Sequence, residues 1–241
     1  MRSLFIPNLK EGILHLPEAE TRHAVKVLRA KIGFSYALMD GQGGTAEGVI
    51  IDLDKRSCVM QVGELSRESR PKLGLTMIVS PTKKTERFEW FLEKATEIGV
   101  ERIYPVFTSR SETNIAKFDR WNKVLISAMK QSKRTWLPEL MPSMTLMDAV
   151  HEISASPQLA KNFFVAHCRD SVSLLAKTHL LKALTPAESS CIAIGPEGDF
   201  TSDEIEEMLD SGAKEITLGD MRLRTETAAI VAVTFFAARQ V

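Results

Sequence analysis

The sequence predicts an α/β protein built on a parallel sheet and led by a smaller β-rich domain. Three observations carry that prediction. Residues 1–70 are mostly short β-prone runs set between turn residues; from Leu73 onward short apolar runs alternate with helical stripes; and near the C-terminus two glycine-marked loops each follow an apolar run and open a helix. Strands that alternate with helices pair in parallel, because each helix carries the chain back to the end of the sheet where the next strand starts.

In the first domain, residues 1–70, the segments Ala37–Met39, Gly48–Ile51 and Cys58–Val62 read as strands separated by turns at Asp40-Gly41, Gly43-Gly44 and Asp54-Lys55. Short strands punctuated in this way suit a small barrel. Ala19–Arg29 is the helical exception, and the polar stretch Ser66–Lys72 reads as a linker to the second domain, residues 73–241. There Leu75–Val79 is a strand, and Phe88, Phe91, Leu92, Ala95 and Ile98 form a helical stripe closed by Gly99. Ile103–Phe107 is the next strand, and Trp121, Val124, Leu125, Ala128 and Met129 mark the next helix. Asn162–Ala166, as strand, and a helix near Val172–Leu184 continue the alternation.

The last two units hold the candidate site. Cys191–Ile194 is a continuous apolar run that suits a strand buried on both faces. In the loop after it, Gly195 and Gly198 relax the backbone and remove Cβ atoms from the path of a ligand. Thr201 and Glu204 then have capping-box spacing, and Ile205, Met208 and Leu209 form a helical face that stops at Gly212. The pattern repeats, with Glu215–Leu218 as strand, Gly219–Arg224 as loop and Thr225 as N-cap of a helix reaching Arg239. Ligands of open parallel sheets sit outside the carboxyl ends of the strands, where both loops fall. Their free N–H and C=O groups can read an adenine edge. The alternative is a pair of ordinary βα turns. His167, just after the Asn162–Ala166 strand, either lines the same pocket or has a structural role.

Composition bounds the function. The 241 residues hold 31 basic and 31 acidic side chains, so no global positive field announces nucleic acid, and any RNA site must be a local patch. Candidate patches are Lys83, Lys84 and Arg87; Lys130, Lys133 and Arg134; and Arg22, Lys26, Arg29 and Lys31, each of which is otherwise solvated surface charge. Three scattered cysteines, Cys58, Cys168 and Cys191, read as buried thiols in a reducing compartment, which with the lack of a signal-peptide core predicts a cytoplasmic protein. No histidine has metal-ligand spacing, so no metal is expected. The longest apolar stretch, Ala228–Ala238, is too short to span a membrane, and its helix, apolar on nearly every side, must be buried all round.

The runs Gly195-Pro196-Glu197-Gly198, Leu218-Gly219 and Leu223-Arg224-Thr225-Glu226-Thr227-Ala228 resemble the signature of the RsmE family, the small-subunit ribosomal RNA uridine N3-methyltransferases. Agreement extends to Arg22-His23, Val27-Leu28-Arg29, Asp40-Gly41, Lys94–Val100, Ser109-Arg110-Ser111, Gln131-Ser132 and Leu137-Pro138-Glu139, and so covers nearly the whole chain. The resemblance implies a SPOUT fold with a C-terminal trefoil knot, a PUA-like N-terminal β-barrel that helps hold 16S ribosomal RNA, a homodimer, and S-adenosylmethionine as cofactor. Carried onto this sequence, it places the cofactor among Ile194, Gly195, Pro196, Glu197, Gly198, Leu218, Gly219, Leu223, Arg224, Thr225, Thr227 and Ala228, with His167 a further candidate from its position after the strand. Asp199 stands where many relatives carry another glycine, Met221-Arg222 where an arginine followed by an aliphatic residue is usual, and Lys130 where glutamate is frequent.

Methyl transfer to uridine N3 is an in-line displacement, and a proton must leave N3. The protein must therefore position the reactants, remove that proton and stabilise charge on the uracil oxygens. Arg224 is the candidate for the charge, and Glu197 and Glu226 for the proton. Two other classes stay open: an RNA-binding protein without catalysis, and an α/β enzyme for another adenine-containing ligand. The dinucleotide fingerprint and the phosphate-loop motif are both missing from the chain, which counts against the latter.

Overall fold

The computed structural model describes residues 2–26, 28–54, 56–169 and 177–240. They form two compact units: residues 1–71 with 126–137, and residues 72–125 with 138–241.

In the first unit the strands are β1 (Ser3–Phe5), β2 (Gly12–His15), β3 (Ser35–Met39), β4 (Gly44–Leu53), β5 (Cys58–Val62) and β6 (Ser66–Arg67), with helix α1 (Glu18–Lys26) after β2. They make a mixed sheet in the order β1-β3-β4-β5-β2, with β6 on β4; only β1 and β3 run parallel. Alternate residues point inward, so Tyr36, Leu38, Ile50, Met60 and Val62 pack with Leu4 and Ile6 into one core. Three expectations change here. Ser66–Lys72 is not all linker, because Ser66 and Arg67 pair with Thr45 and Gly44. The Gly43-Gly44 turn is tighter than expected, since the Asp40 carboxylate accepts the N–H groups of Gln42 and Gly44 and the strand starts at once. Helix α1 is described over Glu18–Lys26, and Arg29, with a left-handed φ of 50°, lies outside it; Val27 and the turn residue Lys55 lie outside the described residues. Residues 126–137 join this unit through Gly43 N–H to Thr135 O and Leu137 N–H to Gly41 O.

The second unit is the predicted parallel sheet. Its strands are β7 (Leu75–Val79), β8 (Arg102–Phe107), β9 (Glu139–Leu140), β10 (Met144–Thr145), β11 (Phe163–Ala166), β12 (Thr178–His179), β13 (Ser190–Ile194) and β14 (Lys214–Thr217). Their order is β10-β8-β7-β13-β11-β14-β12, with β9 on β8, and every pairing is parallel. The helices are α2 (Thr85–Ile98), α3 (Phe118–Ser132), of which residues 126–132 belong to the first unit, α4 (Leu146–Ser154), α5 (Pro157–Ala160), α6 (Leu180–Ala183), α7 (Ser202–Asp210) and α8 (Thr225–Arg239). Strands β7 and β13 are buried at every residue, which is why they read as unbroken apolar runs. Phe163, Val165, Ala193, Phe200, Ile205 and Met208 share one core. Of the helix expected near Val172–Leu184, residues 172–176 lie outside the described residues, and the remainder forms the short strand β12 and helix α6.

Helix α8 is not buried all round within one chain. Ala229, Ala232, Val233 and Phe236 are buried, whereas Ile230, Val231 and Phe235 are half-buried and Thr234 is exposed. Among the described residues no helix is long and apolar enough to cross a membrane.

Candidate cofactor site

Register brings the site together. Ala166 at the end of β11 lies opposite Ile194 of β13 on one side and Ile216 of β14 on the other, so three neighbouring strands deliver their carboxyl-end loops at one level. Between these loops lies a cavity of about 640 Å³. Its size falls in the range of sites for small ligands and cofactors.

Each loop is held by polar contacts to a neighbour. Thr225 Oγ1 donates to Gly195 O at 3.0 Å, joining the second glycine loop to the first. This corrects the expected N-cap: Arg224 occupies the cap position and Thr225 begins the helix, its hydroxyl engaged across the site. Asp199 joins the first loop to the segment after β11, its carboxylate accepting the N–H of Cys168 and of Phe200, both at 2.8 Å. Asp199 sits at φ 61°, a left-handed conformation that glycine adopts freely and that Asp tolerates better than most residues. That is why an aspartate can stand where relatives carry glycine, and here it adds two hydrogen bonds. The capping box forms as expected, Thr201 and Glu204 bonding each other's backbone N–H. Burial pushes the Glu204 carboxyl up, yet the N–H donors of Ser109 and Thr201 hold it below the usual range.

Gly195 and Gly198 act differently from expectation. Neither has a positive φ; Gly219 does, at 133°. A Cβ on Gly195 would meet Phe200, and one on Gly198 would meet Arg110, so the missing Cβ atoms make room for the protein's own packing.

His167 is buried at the cavity wall. Its Nε2 lies 2.9 Å from Glu215 Oε1, and Lys177 Nζ lies 3.1 Å from its Nδ1 and donates to its carbonyl. An ammonium can only donate, so Nδ1 accepts and Nε2 carries the proton that Glu215 receives. Burial and the Lys177 charge together lower the imidazole pKa, which keeps the ring neutral.

The cavity wall includes Ile194, Gly195, Pro196, Glu197, Leu218, Gly219, Leu223, Arg224, Thr225, Ala228 and His167; Gly198 and Thr227 are not on it. Arg224 is exposed, and its side chain has no hydrogen-bond or ion-pair partner among the described residues. Glu197 Oε1 accepts the Lys83 N–H at 3.1 Å, and its Oε2 has no partner among the described residues. Glu226 is buried and faces Arg87 at 3.5 Å, off the cavity wall. Arg224 thus pairs with neither glutamate. Lys177, Cys168 and Asp199 also line the cavity without having been expected there, and Cys168 is exposed, which corrects its reading as a buried thiol. Lys177 carries no local motif; the left-handed Asp199 was marked only by its departure from glycine.

The basic clusters are partly neutralised. Lys83 pairs with Glu112 at 3.0 Å, Arg87 with Glu226, Lys130 with Glu20 at 3.4 Å and Arg22 with Glu18 at 2.6 Å. Arg134 is half-buried, which lowers its pKa, and its Nε has no partner among the described residues, so it is no free surface cation. Lys26, Arg29, Lys84 and Lys133 are exposed without ion-pair partners among the described residues. Those residues also contain no metal-binding cluster.

A parallel sheet with a loop-walled cavity at its carboxyl ends, in a chain that also carries a mixed-sheet N-terminal unit, defines a class. The chain belongs to the RNA methyltransferase family: the model for an RNA methyltransferase domain matches residues 69–237, and that for an RNA methyltransferase PUA domain matches residues 16–62. Within it, the protein groups with ribosomal RNA small subunit methyltransferase E. The enzyme of that name from Bacillus subtilis is 29% identical, over 97% of this chain and 95% of its own length. A probable rRNA-methyltransferase from Porphyromonas gingivalis has a TM-score of 0.88 and 31% identity, covering 100% of this chain and 98% of its own. The ribosomal RNA small subunit methyltransferase E of Neisseria gonorrhoeae, solved bound to S-adenosyl methionine, has a TM-score of 0.82 and 28% identity, with 97% and 95% covered.

Proposed function

We propose that the protein uses S-adenosylmethionine to methylate N3 of a specific uridine in 16S ribosomal RNA of the small subunit. The observation that carries this reading is the cavity between the Gly195 and Gly219 loops, level with the ends of β11, β13 and β14. Its walls fit the donor: Ile194, Leu218 and Leu223 offer apolar surface, loop backbone offers donors and acceptors for an adenine edge, and Glu197 on the wall has a buried carboxylate oxygen without a partner among the described residues. When bound, S-adenosylmethionine supplies a methyl group already activated on a sulfonium.

The chain supplies the rest. The loops cross-linked by Thr225 and Asp199 hold the reactants in line. Arg224, free to turn to the substrate, stabilises negative charge on uracil O2 and O4 as N3 loses its proton. Glu197 on the cavity wall is the acceptor for that proton, in preference to Glu226, which holds Arg87. The exposed cations Lys26, Arg29, Lys84 and Lys133 contact phosphates and set register, while the pocket and RNA shape select the base.

The same proposal includes a trefoil knot, supported by the place of β11 between the later strands β13 and β14, a homodimer, supported by the half-buried Ile230, Val231 and Phe235 on α8, and a cytoplasmic location, which fits a ribosomal RNA substrate. Incubation with labelled S-adenosylmethionine and undermethylated small subunits tests it. Label in the 16S RNA as 3-methyluridine is expected, and folded protein that transfers no label refutes it.

A further inference from the structure

Arg110 lies on the loop after β8, in the same unit as the cavity but off its wall. Its Nη1 donates to the carbonyls of Gly198 at 3.0 Å and Phe200 at 3.3 Å. Its Cβ occupies the space beside Gly198, where an added methyl would come within 3.2 Å. The loop that carries Arg110 is itself pinned: Ser109 N–H donates to Glu204 Oε1 at 2.7 Å, Thr108 N–H donates to Ser111 Oγ at 2.8 Å, and Ser111 Oγ bonds Ser80 Oγ at 2.9 Å. Carbonyls in a tight loop have no helix or strand partner, and a cationic donor is the strongest they can find. Arg110 has no carboxylate partner among the described residues, so its contacts go to this loop.

We propose that Arg110 is a positioning residue for the methyl-donor site. By holding two carbonyls on the outer side of residues 195–200, it fixes the inner side, where Gly195, Pro196, Glu197 and Asp199 face the cavity. The inference rests on the function proposed above and adds a residue that touches neither donor nor RNA. Without the clamp, the groups that meet the donor lose their preorganised geometry and donor affinity falls.

Full-length Arg110→Ala and Arg110→Lys are compared with the unaltered protein by calorimetric titration with S-adenosylmethionine and by thermal unfolding without ligand. Loss of a charge-assisted pair of bonds predicts donor binding weaker by about tenfold or more in Arg110→Ala, with partial recovery in Arg110→Lys, whose ammonium can still reach a carbonyl. Both variants are expected to stay folded at the titration temperature. Gly198→Ala, whose methyl crowds Arg110, is expected to give the same loss, and the double variant to bind no worse than Arg110→Ala alone. Unchanged affinity in Arg110→Ala, losses that add in the double variant, or a loss matched by unfolding would overturn the inference. If the unaltered protein binds no S-adenosylmethionine, the proposed function falls and this inference with it; if it binds and Arg110→Ala binds equally, this inference alone falls.

Discussion

Thr225 and Gly195 are thirty positions apart in sequence, yet the threonine hydroxyl donates to the glycine carbonyl at 3.0 Å in the interior of the second unit. That contact makes one pocket of two loops. Deleting the hydroxyl in Thr225→Val leaves a buried carbonyl unsatisfied, which costs about 1–3 kcal/mol. A lower unfolding midpoint and weaker donor binding are expected, with Thr225→Ser close to the unaltered protein; a Val variant that binds the donor normally would show that the loops hold their positions without it.

Arg224→Ala has a different signature. Arg224 is exposed and unpaired among the described residues, so its removal should leave the unfolding midpoint within a degree or two, the effect of a change of roughly 0.5 kcal/mol. Methyl transfer under saturating donor should fall by about a hundredfold or more. Single-turnover kinetics alongside thermal unfolding checks both halves.

Asp199 separates conformation from hydrogen bonding. At φ 61°, Asp199→Ala meets the left-handed penalty of about 1–2 kcal/mol and also loses the bonds to Cys168 and Phe200. Asp199→Gly loses only the bonds. The glycine variant should therefore be the more stable of the two in denaturant titration, and the reverse order would contradict the assigned backbone role.

His167 gives the pH dependence. Its folded pKa lies below its ordinary 6.5, so the unfolded chain binds the extra proton first. The stability this group contributes is present above about pH 6.5 and is lost as pH falls through that range toward the folded value. Lys177, Glu215 and Asp199 are the charges around it. Unfolding midpoints at pH 7.5 and 5.5 should differ less in His167→Gln than in the unaltered protein. An equal drop in both would show that other groups control the acid side.

Much of the second unit is legible locally. The strand Leu75–Val79 has the bounds that its apolar run suggests, and Gly99 closes its helix with an N–H to Ala95 O, at φ 128°. Runs, caps and stops are short-range physics. The illegible part is long-range: nothing local tells that β11 sits between β13 and β14, that Lys177 reaches His167, or that residues 126–137 join the N-terminal unit. The glycines show the same limit. Gly195 and Gly198 look like ligand approaches, but only the fold shows Phe200 and Arg110 in those spaces.

A crystal structure of the protein with S-adenosylmethionine tests the central claim most directly. The account predicts the donor in the cavity, its adenine against the backbone of the Gly195 and Gly219 loops and its methyl toward Arg224. A donor bound anywhere else on the chain, with that cavity left to solvent, would contradict it.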